Sequence, residues 1–168
     1  MQNVLGEHRF VQLATSADIF MMQEFVTEPP FLKTLYDEGH TGRMSIHFYP
    51  REDIATGVAT FGKIRPSRQI YVISQDREIG WRSYKSAVCT FYPFPAQFSS
   101  DYDHAIFVNV HGFNFGSKRG LVRQFDKIKQ ILLPLKRRNR IVVGGDMNTW
   151  NLGRLDLFFR FVDDLGFK

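Results

Sequence analysis

The chain has 168 residues, a formal net charge of +5 and a single cysteine. This length suits one domain with a sizeable hydrophobic core, so residues 1–168 are interpreted as a single domain. A content of 43% hydrophobic and 23% charged residues excludes disordered, collagen-like and coiled-coil proteins. Because Cys89 is the only cysteine, the chain can form neither an internal disulfide nor a zinc site built from cysteines. No apolar run approaches the roughly 20 residues that span a bilayer and no signal peptide is recognisable, so we expect a cytoplasmic protein without a membrane span.

Short apolar strands alternate with helical patterns along the chain, which is typical of an α/β domain. A strand is predicted over residues 18–22, with Gln23 and Glu24 at its end. The two prolines that follow open a predicted helix that runs to Gly39. Further strands are predicted over residues 43–49, 57–61, 69–74, 86–92 and 105–110.

The clearest helix is predicted over residues 117–135, with Ser117 as its N-cap. Pro134 should disrupt its last turn, because proline cannot donate a backbone hydrogen bond. The apolar residues recur at intervals of four and three and predict one buried stripe, formed by Leu121, Phe125, Ile128, Leu132 and Leu135. The opposite, exposed face is predicted to carry Arg119, Arg123 and Lys127.

Two further elements are predicted near the C-terminus. A strand over residues 140–143 is apolar on both faces, which predicts a central and buried position in a sheet. A last helix follows it and is closed by Gly166. Its predicted apolar face consists of Leu155, Phe158, Phe159, Val162 and Leu165.

Positive charge is concentrated in one segment. Residues 118–140 contain nine basic residues and one acidic residue, so this segment carries +8 and the rest of the chain −3. Such an excess suits a polyanionic partner, such as a phosphate ester or nucleic acid. The alternative is an ordinary solvated helix face, and the sequence leaves both interpretations open.

Polar side chains follow three of the predicted strands. They are Gln23 and Glu24 after the first strand, Asn109 and His111 at the end of the sixth, and Asp146 and Asn148 after the seventh. Ligands of open α/β sheets usually bind at the carboxyl ends of strands, and hard oxygen groups suit Mg²⁺ or Mn²⁺. Each feature has a plainer explanation: a surface glutamate, a structural histidine and an Asx turn.

Three of these segments resemble a known family. ADIFMMQE at 17–24, FVNVHGFNF at 107–115 and GGDMNTW at 144–150 resemble, in order and spacing, motifs of the endonuclease/exonuclease/phosphatase superfamily. TGVAT at 56–60 and KSAVCTFYPFP at 85–95 resemble inner strands of its small bacterial members. The resemblance implies the DNase-I-like fold, an α/β sandwich of two mixed sheets flanked by helices.

The resemblance also implies roles for individual residues. Glu24 matches the glutamate that binds the catalytic Mg²⁺ (or Mn²⁺), and Asp146 matches the aspartate that orients or deprotonates the attacking water. Asn148 matches the asparagine that holds this aspartate and the phosphate. His111 matches the histidine that stabilises the transition state, with Asn109 in a supporting position. The implied reaction is in-line hydrolysis of a phosphoester, with a nuclease or phosphodiesterase as the expected type of enzyme.

Other residues near the implied site are candidate substrate contacts. They are Asn109, Asn114, Lys85 and Arg119. Phe113 or Phe115 could stack on a nucleic-acid base, although core packing explains both as well. The remaining histidines, His8, His40, His47 and His104, show no metal-ligand spacing.

The sequence departs from the family pattern at both ends. Family members begin with a strand that ends in an asparagine near the metal, for which Asn3 is no convincing substitute. They also end with an Asp-His pair, whereas no histidine follows Asp146 here. We therefore expect a fold incomplete at both termini, weak or absent catalysis, and self-association through an exposed sheet edge. The alternative function is a non-catalytic remnant that binds phosphate or nucleic acid.

Overall fold

The computed structural model describes residues 10, 12–13, 15–78, 83–98, 101–115 and 117–167, so Asn3 and His8 lie outside the described residues. The strands are β1 (Ile19–Val26), β2 (Thr41–Arg51), β3 (Ile54–Gly62), β4 (Arg68–Arg77), β5 (Tyr84–Pro93), β6 (His104–His111) and β7 (Asn139–Asp146). The helices are α1 (Pro29–Asp37), α2 (Lys118–Leu132) and α3 (Leu152–Leu165), with a short 3₁₀ turn at Ala96–Phe98.

The strands form two sheets that face each other. The first sheet has the order β1-β3-β2 and is antiparallel. The second has the order β4-β5-β6-β7 and is mixed, because β6 and β7 run parallel while the other pairs are antiparallel. Strands β1, β2 and β3 pack against β5, β6 and β7, and α2 packs on β4 and α3. The predicted α/β sandwich of two sheets flanked by helices is confirmed.

Helix α2 buries the stripe that the sequence predicts. Leu121, Ile128 and Leu132 have no exposed surface and Phe125 is 3% exposed. The opposite face carries Arg119 and Arg123 in solvent, whereas Lys127 is half-buried. The helix ends at Leu132, two residues before Pro134, and Ser117 occupies the N-cap without a side-chain hydrogen bond.

Two burial predictions near the C-terminus are wrong. Strand β7 lies at the end of its sheet, and Val142 is 48% exposed. Ile141 and Val143 point to the other face and pack against the core. In α3 the buried apolar residues are Phe161 and Leu165, each at 1% exposure, while Phe159 is 54% exposed. Phe158, Val162 and Leu165 thus face the core as predicted, and Phe161 joins them where Phe159 was expected.

The first helix and the core cysteine follow their predictions. Helix α1 begins at its two prolines, and Gly39 leaves the helix with a φ of 79°, which glycine adopts without strain. Cys89 is fully buried in the core of the second sheet, and burial raises the pKa of its thiol to about 12. None of the helices in the described part of the chain has the length and apolarity to cross a membrane.

The basic segment is partly neutralised by carboxylates. Arg123 binds Asp76 at 2.6 Å, Arg138 binds Asp103 at 2.8 Å, and Lys129 binds both Asp126 and Asp164. Three of its nine basic residues therefore already have anionic partners on the surface. This pairing favours the interpretation of the segment as a solvated face over that of a nucleic-acid contact.

Candidate active site

The parallel pairing of β6 and β7 brings two of the predicted site residues side by side. Asn109 is aligned with Gly144 and His111 with Asp146, so both strands end at the same edge of the sheet. His111 is 2% exposed, whereas Asp146 lies in solvent. The His111 imidazole is thus buried at this edge of the sheet, and the Asp146 carboxylate is exposed beside it.

Glu24 reaches this edge from the other sheet. It lies within β1, and the β1–β3 register shifts between Met22 and Phe25, which marks a β-bulge. Its φ of 54° is uncommon for a non-glycine residue and is a strain typical of functional positions. The side chain is 75% exposed, and Oε1 lies 3.8 Å from both Lys85 Nζ and His111 Nε2. The bulge therefore turns the carboxylate towards the start of β5 and the end of β6.

Asn109 joins the two sheets beneath the site. It is fully buried, and its Nδ2 donates to Ala59 O at 2.8 Å and to Met22 O at 3.2 Å. Its Oδ1 accepts a bond of 2.5 Å from Gln23 Nε2. Since Met22 and Ala59 are paired where the β1–β3 ladder is interrupted, Asn109 braces the bulge that carries Glu24. A buried amide of this kind supports the site and does not face a substrate.

Lys85 and His111 form the most unusual contact of the site. Lys85 Nζ lies 2.9 Å from His111 Nε2, and its side chain is only 10% exposed. An ammonium group is a donor only, so Nε2 is the acceptor and the His111 proton resides on Nδ1. Burial and the Lys85 charge lower the pKa of His111, which favours the neutral imidazole. His111 Nδ1 has no hydrogen-bond partner among the described residues.

Glu78 is a buried carboxylate that the sequence analysis missed. It is 3% exposed, and its Oε1 accepts backbone hydrogen bonds from Asn114 at 2.7 Å and Phe115 at 3.3 Å. Its Oε2 lies 3.6 Å from Lys85 Nζ. Glu78 therefore compensates the Lys85 charge and fixes the loop that follows β6. No motif surrounds Glu78 in the sequence, so no signal distinguished it from a surface glutamate.

The loop after β7 holds Asp146 through its own backbone. The Asn148 N–H donates to Asp146 Oδ1 at 2.9 Å, which is the predicted Asx turn, and Asn148 has a φ of 51°. The Asn148 side chain turns inward and donates to Gly112 O at 2.7 Å. Arg154, only 2% exposed, donates through Nε to Asn148 O and through Nη2 to Phe113 O. Arg154 was also missed, because a single arginine in a helix usually faces solvent.

His47 joins the site from β2, although its sequence position gave no such indication. Its Nε2 lies 2.9 Å from Ser86 Oγ, and its ring centroid lies 5.5 Å from that of His111. Burial, followed by the nearby His111 and Lys85, lowers the pKa of His47 to about 3. His104, in contrast, begins β6 at the opposite end of the strand that ends at His111.

A cavity of about 410 Å³, a volume typical of small-molecule sites, opens beside Glu24 and Lys85, and neither His111 nor Asp146 lines it. Its polar lining includes Glu24, His47, Glu78, Lys85 and Asn114. Its apolar lining is formed by Val26, Phe48, Pro50 and Phe115. Among the predicted substrate contacts, Lys85 and Asn114 thus line the cavity, whereas Asn109 is buried and Arg119 lies on the exposed first turn of α2.

The donor set around Glu24 fits a water-rich magnesium site. No group of three or more His, Cys, Asp or Glu side chains is arranged to hold a metal within the ranges that the structure describes. Mg²⁺ nevertheless binds proteins through one or two carboxylates while it keeps several waters. The Glu24 carboxylate is exposed, and its Oε2 makes no hydrogen bond to any described residue. These features suit a hydrated divalent ion on one carboxylate.

No model of a known protein family and no curated protein matches this sequence. Several solved structures match the fold, including the following three. An endonuclease/exonuclease/phosphatase family protein from Leptotrichia buccalis C-1013-b has a TM-score of 0.68 and 14% identity over 98% of this chain and 69% of its own. The endonuclease/exonuclease/phosphatase from Bacteroides vulgatus has a TM-score of 0.68 and 13% identity over 95% of this chain and 66% of its own. The human Nocturnin catalytic domain with bound sulfate has a TM-score of 0.59 and 15% identity over 88% of this chain and 58% of its own.

These structures confirm the fold that the sequence motifs imply. The chain has the DNase-I-like fold of the endonuclease/exonuclease/phosphatase proteins, and it spans between 58% and 69% of the length of these three neighbours. At identities of 13–15% the likeness extends to the fold alone.

Proposed function

We propose that this chain is a phosphoester hydrolase that depends on Mg²⁺ or Mn²⁺ and cleaves its substrate by in-line attack of water. The observation that carries the proposal is the juxtaposition of four groups from both sheets. Glu24 lies 3.8 Å from Lys85 and His111, and His111 is aligned with Asp146 on the neighbouring strand. A carboxylate for a metal, a cation for a phosphate and a second carboxylate for water are the groups that this reaction needs.

In this proposal Asp146 acts on the attacking water. Its Oδ1 accepts a hydrogen bond from the Asn148 N–H, and the residue is exposed to solvent. Asn148 and Arg154 fix the loop, so the carboxylate is positioned before substrate binds. Such positioned proton acceptors typically contribute 10²–10⁴-fold to a rate.

Lys85 supplies the positive charge that faces the phosphate. The resemblance gives this task to His111, but Lys85 Nζ lies 2.9 Å from His111 Nε2, and burial, followed by the Lys85 charge, lowers the pKa of His111. Glu78 holds the ammonium from one side and Glu24 from the other, at 3.6 and 3.8 Å. We therefore assign His111 to the positioning of Lys85 in the absence of substrate. A Mg²⁺ or Mn²⁺ ion on Glu24 would add charge neutralisation at the phosphate when bound.

The apolar lining favours a phosphate that carries an organic group. Phe48 is 43% and Phe115 is 51% exposed, and both line the same cavity as Lys85. Phe115 offers a face on which an aromatic group or a nucleic-acid base can stack. Phe113 is only 2% exposed and cannot take this role. A phosphodiester with an aromatic or nucleoside substituent is thus the substrate class that we propose.

The proposal is tested by hydrolysis of a chromogenic aryl phosphodiester and of plasmid DNA with Mg²⁺ or Mn²⁺. Asp146→Ala and Lys85→Gln should each lower the rate by about 10²-fold or more. Asp163→Ala is the matched control, since Asp163 is an exposed carboxylate on α3 away from the cavity. Hydrolysis that survives Asp146→Ala would refute the assigned site. Salt-sensitive binding of DNA without any hydrolysis would favour the non-catalytic alternative.

A further inference from the structure

A second, larger pocket lies away from the candidate active site, between the start of β2 and the start of β4. Its volume is about 520 Å³, within the range of small-molecule sites. Its lining contains three arginines and consists of Thr41, Gly42, Arg43, Arg65, Pro66, Ser67, Arg68, Gln69 and Tyr71. No aspartate or glutamate is among these residues.

The strand register places this pocket at the other end of the sandwich. Arg68 is paired with Phe91 near the end of β5, whereas Lys85 lies near the beginning of the same strand. Six residues of an extended strand span roughly 20 Å, at about 3.3 Å per residue. One small ligand therefore cannot touch both Lys85 and Arg68, and the two pockets are separate sites.

Three arginines of this pocket lack anionic partners. Arg43, Arg65 and Arg68 make no ion pair with any carboxylate in the described ranges. Four arginines elsewhere on the surface do form ion pairs, namely Arg51 with Glu28, Arg123 with Asp76, Arg138 with Asp103 and Arg160 with Asp156. The pocket thus collects three uncompensated positive charges on one concave surface, which raises the local concentration of anions.

Contacts with β5 order Arg68 and part of the pocket wall. The Arg68 guanidinium lies over the Phe91 ring, 5.6 Å from its centroid. Arg43 lies close enough to Tyr71 to oppose the rise in the pKa of that phenol that burial causes. Ser67 and Gln69 are anchored to β5 through Phe91 O and Thr90 Oγ1. Part of the pocket wall is therefore ordered without a ligand, which lowers the entropic cost of binding one.

We propose that this pocket binds a small anion that carries two or more phosphate groups. Guanidinium groups bind phosphate oxygens through pairs of parallel N–H bonds, and a single monoanion would leave most of the three charges uncompensated. A diphosphate group matches the charge of the pocket. The inference is independent of the chemistry at Glu24 and Asp146, because no residue is shared between the two pockets.

The proposal is tested with inorganic pyrophosphate as the probe, by isothermal titration calorimetry of the full chain at about 0.15 M salt, where weak surface attraction is largely screened. The Arg43→Gln/Arg68→Gln double variant should bind pyrophosphate at least about tenfold more weakly than the wild type. Arg65→Gln tests the pocket without any risk to folding, because Arg65 is exposed in the β3–β4 loop. Arg51→Gln is the matched control and should bind as the wild type does.

A parallel titration with Lys85→Gln separates this pocket from the candidate active site. If the far pocket is the binding site, Lys85→Gln retains the pyrophosphate affinity that Arg43→Gln/Arg68→Gln loses. Equal affinity of the wild type, the double variant and Arg65→Gln would overturn the proposal. Absence of pyrophosphate binding, with single-stranded oligonucleotide binding lost in the double variant, would also overturn it and would assign the arginines to a nucleic acid.

Discussion

Replacement of Asn109 by leucine should destabilise the protein far more than the loss of one ordinary hydrogen bond. The change removes the amide that bonds to Ala59 O, Met22 O and Gln23 Nε2 while it keeps a similar side-chain volume. Because Asn109 has no exposed surface, water cannot replace these partners. A buried polar group that is left unsatisfied costs about 1–3 kcal/mol, so two or three such groups give a loss of roughly 3–6 kcal/mol.

This loss is measurable by equilibrium unfolding in urea, followed by far-UV circular dichroism. Asn139→Leu provides the matched control, since Asn139 is also buried but donates only one bond, of 2.7 Å, to Leu135 O. We expect that control to lose about 1 kcal/mol. If Asn109→Leu costs no more than Asn139→Leu, the amide does not brace the bulge of β1 and the account of how Glu24 is positioned fails.

Three further outcomes follow from the packing and the titration of single residues. Leu121→Ala should cost about 2–5 kcal/mol in urea unfolding, whereas exposed Leu133→Ala should change stability by less than about 0.5 kcal/mol. The pKa of His47 falls to about 3 in the folded chain, from an ordinary 6.5, so folding is disfavoured as the pH falls between these values. His47→Gln should flatten this acid-side loss of stability in urea titrations. Cys89, whose pKa is raised to about 12, should react with a thiol reagent only after unfolding, and rapid reaction of the native chain would contradict its burial.

Most of the fold could be predicted from the sequence because the apolar residues of its helices and strands recur at regular intervals. The intervals of Leu121, Phe125, Ile128 and Leu132 leave only one helical face, and the structure buries that face. The position of β7 was mispredicted for the opposite reason. Its three apolar residues look alike in sequence, but only those on one face find a partner, and sequence alone does not show which neighbours cover a strand.

The residues of the candidate site divide in the same way. Glu24, His111 and Asp146 follow apolar strands within recognisable motifs, so their convergence could be anticipated. Glu78 and His47 come from strands without any motif, and His47 meets Ser86 across 39 positions of sequence. Contacts of that range depend on the stacking of the two sheets. The occupation of His111 Nε2 by Lys85 depends on side-chain geometry and has no signature in the sequence.

The central claim is that Glu24 holds a divalent metal that takes part in phosphoester hydrolysis. The most direct test is the rate of aryl phosphodiester hydrolysis as a function of Mn²⁺ concentration, for the wild type, Glu24→Gln and Glu38→Gln. Glu38 is the C-cap residue of α1 and does not line the cavity, which makes its variant a charge-matched control. We predict a rate that saturates with Mn²⁺ in the wild type and in Glu38→Gln, and a midpoint at least about tenfold higher in Glu24→Gln. A rate that is absent, that does not depend on Mn²⁺, or that has the same Mn²⁺ midpoint in Glu24→Gln as in the wild type would contradict the claim.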